Sequence, residues 1–327
     1  MLNTRLIDIP ELAPFTDYLM YRFGNSPVGE KTIAGLCADQ PTWDADSMAR
    51  GMERLCDAAR ARRVLYDVYP EDERREDPEK GDVKLFFLPA LSQPSDKPFI
   101  ICVSGGGYSC VCSMVESFPV AARFNALGYN VFALNYRVGD GKAALLPKPI
   151  EDLARAVRFI LDNRAEFGIV NGEYAVNGYS AGGNLVAVYG TERNGWAKYG
   201  CPRPVAMFPI YHAISNVPEF IENPAARAGF MTRMFGPGFD EAYARSFDVP
   251  ECVTDRYPPC YIVQAKDDPA VSIRHSLALE KLLKARGIPV HAEIIETGGH
   301  GWGDGSGTAA AGWPDRAAAF LEEIAAR

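Results

Sequence analysis

Six apolar runs punctuate the chain, at residues 99–103, 129–134, 174–176, 205–208, 261–263 and, in looser form, 290–295. Runs that are apolar at consecutive positions predict strands covered on both faces, as in a parallel sheet. Between them the period changes. Residues 150–167 place Leu153, Val157, Ile160 and Leu161 at three- and four-residue steps, and residues 272–286 do the same through Ile273, Leu277, Leu279, Leu282 and Leu283, with Gly287 as the stop. Upstream, residues 64–69 and 83–88 are short and rich in β-branched, aromatic and aliphatic side chains, which predicts a hairpin at a sheet edge. The charge-rich run 71–80 between them reads as a solvated loop, closed by Pro78 and Gly81. Alternating strand and helix predicts an α/β fold: a mostly parallel central sheet of about eight strands, flanked by helices, with ligands held at the carboxyl ends of the strands.

Two stretches break the alternation. Residues 213–259 carry Phe220, Phe230, Met231, Met234, Phe235, Tyr243 and Phe247 among turn residues, more apolar surface than a solvated loop would hold. This predicts a cap inserted into a body spanning 61–327; its aromatics and methionines suggest a mainly apolar pocket, with plain core, the more usual role of such clusters, as the open alternative. The N-terminal residues 1–60 are read as a second cap or lid segment, with helices that merely thicken the body as the open alternative.

Composition narrows the function. The chain has 327 residues, 47% hydrophobic and 23% charged, enough for one large core. Its 34 basic residues against 42 acidic ones leave a net charge of −8, which offers no footprint for a phosphate backbone, so nucleic acid is not expected as a partner. No leader-like start and no apolar run of about 18 residues is found, so a cytoplasmic protein without a membrane partner is expected. The eight cysteines are too dilute for a disulfide scaffold and are expected to be reduced. Cys110 and Cys112 have no second ligand pair near them, so no metal is expected, and the two are read as buried small hydrophobes.

The sharpest chemical signal is Gly178-Tyr-Ser-Ala-Gly182, a G-x-S-x-G pattern that follows one predicted strand and precedes a helix over 184–189. Small flanks allow a turn so tight that it lifts the Ser180 hydroxyl clear of the sheet. A serine at its free pKa is a weak nucleophile and requires a base held by a carboxylate. Of four histidines, His275 falls in a predicted helix and His291 in a strand, where structural roles are usual. His300 sits in the glycine-rich loop Gly298-Gly-His-Gly301 beyond the last strand and is the candidate base. Asp268, after strand 261–263, is the candidate acid, with Asp267 beside it as the alternative. Ser104-Gly-Gly-Gly107 follows the strand at 99–103, and its glycines let backbone amides turn inward. The predicted oxyanion donors are the N–H groups of Gly106, Gly107 and Ala181. Tyr108, Tyr179 and His212 are candidate substrate-binding neighbours by position.

Together the Gly triplet, Asn135-Tyr136-Arg137, the Ser180 turn, Asp268-Pro269 and the His300 loop resemble the α/β-hydrolases, specifically their hormone-sensitive-lipase-like and bacterial acetyl-esterase (acetylxylan-esterase-like) branches. The similarity runs from about residue 83 to the last residues, leaving 1–60 outside. Many relatives begin the oxyanion motif with His where this chain has Ser104. The resemblance implies an α/β-hydrolase fold and a cofactor-free serine carboxylesterase acting on short-chain esters, acetyl groups on sugars among them, with a homodimer as the oligomer to test. Two rival readings stay open at this point: a peptidase or amidase using the same machinery, and a non-catalytic binding protein on the same fold.

Overall fold

The computed structural model describes residues 1–38, 40–217, 219–221 and 223–326; the remaining positions, within the segments 1–60, 213–259 and 61–327, lie outside the described residues. Eight strands form one sheet: β1 (Leu65–Asp67), β2 (Lys84–Leu88), β3 (Phe99–Val103), β4 (Val131–Asn135), β5 (Tyr174–Tyr179), β6 (Ala206–Ile210), β7 (Cys260–Ala265) and β8 (Val290–Ile295). Their order is β1-β2-β4-β3-β5-β6-β7-β8. The expected edge hairpin is present, β1 and β2 pairing antiparallel, and β2 also runs antiparallel to β4. From β4 through β8 all pairings are parallel. Helix Lys148–Asp162 connects β4 to β5, Ser180–Tyr189 connects β5 to β6, and Arg274–Ala285 connects β7 to β8.

The continuous apolar runs arise because both faces of the sheet are covered. Phe87, Ile101, Phe132 and Val176 point into one core, while Phe86, Ile100, Tyr179 and Phe208 point into the other. The two irregular stretches divide between these layers. The N-terminal segment adds Leu6, Ile33, Met48, Met52 and Leu55 to the second core, and its helix Ala45–Ala61 packs on Ser117–Ala126 so closely that a Cβ on Gly51 would lie 2.7 Å from the Pro119 nitrogen. Segment 213–259 folds as helices Pro224–Phe235, Glu241–Arg245 and Val249–Cys252 and adds Met231, Met234, Phe235 and Phe247 to the first core. Phe235, Tyr243 and Phe247 meet edge-on or tilted at 5.3–6.0 Å between ring centres, with Phe235 and Phe247 buried as packing material and Tyr243 at the surface. Each such buried ring or methionine contributes roughly 1.5–3 kcal/mol.

Two local expectations need correction. Residues 71–80 are solvated but ordered, as helix Glu71–Glu76 and the 3-10 segment Pro78–Asp82, because ion pairs pin them: Glu73 to Lys80 and Arg155, and Asp77 to Arg137. The helix expected to reach residue 167 stops at Asp162, where Asn163 turns its amide back onto the Phe159 carbonyl and Phe167 swings under the sheet against Phe87 and Phe132.

Candidate active site

At the end of β5 the backbone enters helix Ser180–Tyr189 through Ser180 itself, held at φ +52°. A non-glycine residue in the left-handed region is strained, and the surroundings must enforce it. They do so by crowding: a Cβ on Gly178 would sit 2.5 Å from the Gly182 carbonyl oxygen, and one on Gly182 only 2.2 Å from that of Val103. The two glycines of the motif are therefore required by backbone contact, and the reward is a partly exposed hydroxyl beside a helix N-terminus.

Loops after β7 and β8 complete a line of hydrogen bonds. The Ser180 hydroxyl lies 2.8 Å from His300 Nε2, and His300 Nδ1 lies 2.8 Å from Asp268 Oδ2. Asp268 is fully buried, whereas His300 keeps about 21% of its side chain exposed. Burial of the carboxylate is compensated: Oδ1 accepts from the amides of Ala270 and Val271, and Oδ2 also accepts from Gln264 Nε2 at 2.9 Å. The neighbouring Asp267 does different work. Its Oδ1 accepts from the amides of Gly298 and Gly299 at 2.9 and 2.8 Å, so it holds the loop that carries the histidine. From the N-terminal segment, Thr42 donates to the His300 carbonyl at 2.7 Å.

Gly106 (φ +133°) and Gly107 (φ +60°) border the same cavity as Ser180 and His300, and Ala181 is the second residue of the helix, next to Ser180. The loop is scaffolded from below through Ser104 and Gly105. Ser104 Oγ bonds Ser117 Oγ, Tyr136 donates from its hydroxyl to the Ser104 carbonyl at 2.8 Å, and Gly105 N–H donates to Glu116 Oε2 at 2.5 Å. The Asn135-Tyr136-Arg137 run thus supports the site from behind, with Arg137 paired to the fully buried Asp152 at 2.7 Å.

Glu116 was not anticipated. It borders the cavity, and its second oxygen accepts from the Tyr211 hydroxyl at 2.9 Å, while Tyr211 in turn accepts from Gly303 N–H at 3.3 Å. These bonds link the Gly105–Gly107 loop to the loop that carries His300. Burial pushes the Glu116 carboxyl up to about 7, against the opposing hydrogen bonds from Gly105 and Tyr211. A single acid inside the apolar run Met114-Val115-Glu116-Ser117-Phe118 was the available signal, since an isolated charge is costly to bury without a purpose.

The substrate-neighbour assignments need correction. Tyr108, Tyr179 and His212 are all fully buried and lie off the cavity wall. Tyr108 donates to Asn184 Oδ1 under Phe230, and Tyr179 packs between Tyr211 and Trp313. The His212 Cβ lies where Gly183 would otherwise carry a side chain, and burial pushes its ring down to about 3. The wall is supplied instead by the N-terminal segment, through Gln40, Thr42 and Trp43, together with Cys112 and Val115. Cys110 and Cys112 are accordingly not buried core residues. The volume is about 260 Å3, and it adjoins a polar groove of about 370 Å3 that shares Thr42 and Trp43 and is lined further by Asp44, Ser306 and Thr308. Segment 213–259 reaches the site through Arg233, which donates to the Gly107 carbonyl at 2.8 Å.

A serine after β5, an aspartate after β7 and a histidine after β8, joined by hydrogen bonds on a sheet whose second strand alone runs against its parallel neighbours, follow the chain order of one superfamily. The chain has the α/β-hydrolase fold. The model of the BD-FAE family matches residues 86–203 of this chain. The chain is 25% identical over 247 residues to endo-1,4-beta-xylanase B of Butyrivibrio fibrisolvens, covering 73% of this chain and 38% of that one. To the acetylxylan esterase of Xylanibacter ruminicola it is 26% identical over 223 residues, covering 67% and 43%. The chain therefore spans about two fifths of the length of these relatives. Among solved structures it is similar to the acetyl ester-xyloside bifunctional hydrolase of Caldicellulosiruptor lactoaceticus, with a TM-score of 0.67, 26% identity, and coverage of 80% and 96%. Among the described residues no group of side chains could hold a metal ion, and no helix is long and apolar enough to cross a membrane.

Proposed function

We propose that this α/β-hydrolase is a serine esterase that removes short acyl groups, acetyl above all, from alcohols of sugar type. The observation that carries the reading is the unbroken line from Ser180 Oγ through His300 to the buried Asp268, at 2.8 Å for each link. His300 Nε2 takes the hydroxyl proton as Ser180 attacks the ester carbonyl, and Asp268 holds Nδ1–H so that Nε2 faces the serine and the resulting cation is stabilised. Amides of Gly106, Gly107 and Ala181 meet the oxyanion, each donor being worth about 3 kcal/mol in sites of this kind. His300 returns the proton to the leaving alcohol, and water releases the acyl group by the same steps in reverse roles.

Substrate class is supported by the wall. The catalytic volume of about 260 Å3 is small, and the adjoining groove presents Trp43, Asp44, Ser306 and Thr308, an aromatic face beside hydrogen-bonding groups such as a sugar ring requires. The relatives that are an acetylxylan esterase and an acetyl ester hydrolase point the same way. Residues 40–44 and Arg233 make the segments 1–60 and 213–259 the two covers of the site in this reading. The test is a series of nitrophenyl esters from two to twelve carbons beside acetylated xylo-oligosaccharides, compared by kcat/KM. The reading expects a fast release of nitrophenol equal to the enzyme present, preference for the two-carbon ester by about tenfold or more over the longest, and loss of both in Ser180→Ala. Equal rates in Ser180→Ala, or no ester turnover by the unaltered protein, would overturn it.

A further inference from the structure

Cys110 and Cys112 stand on either side of Val111 in the turn that follows the glycine triplet, with their Sγ atoms 3.9 Å apart. Both are partly exposed, unlike Cys56, Cys102, Cys201, Cys252 and Cys260, which are buried. Cys112 also borders the cavity that holds Ser180. The turn is tied to the oxyanion loop at two points: Cys112 N–H donates to the Gly105 carbonyl at 3.0 Å, and Cys110 N–H donates to that of Gly106 at 3.2 Å, with the Cys110 thiol on the same oxygen at 3.4 Å.

These bonds matter because a peptide unit is planar. The carbonyl of Gly105 shares its plane with the N–H of Gly106, and the carbonyl of Gly106 shares its plane with the N–H of Gly107. Whatever rotates the 110–112 turn therefore re-aims the two glycine amides among the three proposed oxyanion donors. There is little slack, since a Cβ on Gly106 would lie 2.2 Å from the Cys110 carbonyl oxygen.

We infer that Cys110 and Cys112 form an oxidisable dithiol whose closure to a disulfide disables the oxyanion loop. The co-reactant is a small-molecule disulfide. Cys110 attacks one of its sulfurs as the thiolate, breaking that S–S bond and releasing one thiol; Cys112 then loses its proton, attacks the Cys110 sulfur and releases the second. Two cysteines are oxidised by two electrons and the small disulfide is reduced to two thiols. The order follows from the pair itself: the hydrogen bond from Cys112 lowers the Cys110 thiol, while the same contact and burial raise that of Cys112. Bond formation must bring the sulfurs from 3.9 Å to about 2.05 Å, which draws the turn together and pulls on both glycine carbonyls.

The existence of the dithiol is independent of the proposed esterase activity; its consequence for turnover rests on that reading. The purified protein is incubated with oxidised and reduced glutathione at graded ratios, trapped by alkylation, and followed by intact mass, peptide mapping and kcat/KM toward nitrophenyl acetate. The expected result is a species that lacks the two alkyl groups the reduced pair takes up, its unlabelled mass lower by about 2 Da, the two hydrogens of the dithiol, with 110 and 112 cross-linked. Its kcat/KM falls about tenfold or more, as expected for misplaced oxyanion donors, and dithiothreitol restores both. Cys110→Ser, with Cys110→Ala as a second variant, is expected to form no cross-link and to keep one rate before and after oxidation. A glutathione adduct without a cross-link, or a mapped cross-link with unchanged kcat/KM, would overturn the inference. If the unaltered protein has no esterase activity, the cross-link still reads the dithiol, so the two failures are distinguishable.

Discussion

The turns that end β5 and β6 begin alike and finish differently. Each has a non-glycine residue with positive φ, Ser180 at +52° and Tyr211 at +36°, and each is followed by the start of a covered segment. At Ser180 two glycines let neighbouring backbone close in from behind, which leaves the hydroxyl as the group that faces the cavity. At Tyr211–His212 the side chains go inward: the tyrosine props Glu116 and the face of His300, and the imidazole of His212 disappears behind Gly183. A residue at the carboxyl end of a parallel strand is thus a candidate for chemistry only when the local backbone has cleared a path for it. Backbone strain alone does not say which way the side chain will face.

Removing Ser180 breaks the contrast most completely. Ser180→Ala is expected to lower kcat by roughly 10⁵–10⁶-fold, the loss seen when a nucleophile leaves such a unit, with an unchanged circular dichroism spectrum. The adjacent aspartates should separate next. Asp268→Asn leaves the geometry but permits the wrong imidazole tautomer, so a fall of about 10⁴-fold in kcat is expected. Asp267→Asn only loosens the His300 loop, for which about tenfold is expected. Similar losses in the two variants would remove the distinction drawn between them.

On the Tyr211 side the expected effects are on stability. The Glu116 carboxyl has a folded-state value of about 7, above its ordinary 4.5, so the folded state binds its proton more tightly than the unfolded chain does. Stability from this group is fully present below about pH 4.5 and is lost as pH rises through about 7, by about 3 kcal/mol. Glu116→Gln, which keeps an acceptor for Gly105, is expected to flatten urea-unfolding free energies across that window. His212 runs in the opposite direction. Its ring stays neutral down to about pH 3 in the folded protein, so stability is complete above pH 6.5 and declines as pH falls from there toward 3. His212→Phe is expected to remove that decline while leaving kcat/KM within about threefold; a larger loss would return His212 to the site.

Much of this was legible beforehand because it is local. Buried strands show as unbroken apolar runs, and the Ser180 turn and glycine triplet show because backbone crowding admits only glycine at Gly106, Gly178 and Gly182. The His300–Asp268 pairing needed only chain order. The cavity wall was not legible, since Gln40, Thr42 and Trp43 come from more than 130 residues before the nucleophile and are brought there by a helix whose docking on Ser117–Ala126 no local pattern specifies. The aromatics of 213–259 left pocket and core open for a related reason: apolar side chains fill a core and line a pocket with the same composition, and here they fill the core.

The central claim is that Ser180 is the atom that attacks. Incubation with an organophosphate ester carrying a nitrophenol leaving group, followed by peptide mass mapping, tests it in one step. The account predicts one phosphorylated residue, Ser180, its occupancy rising in step with loss of ester turnover. Full inactivation with the adduct on another residue, or continued turnover with Ser180 fully labelled, would contradict it.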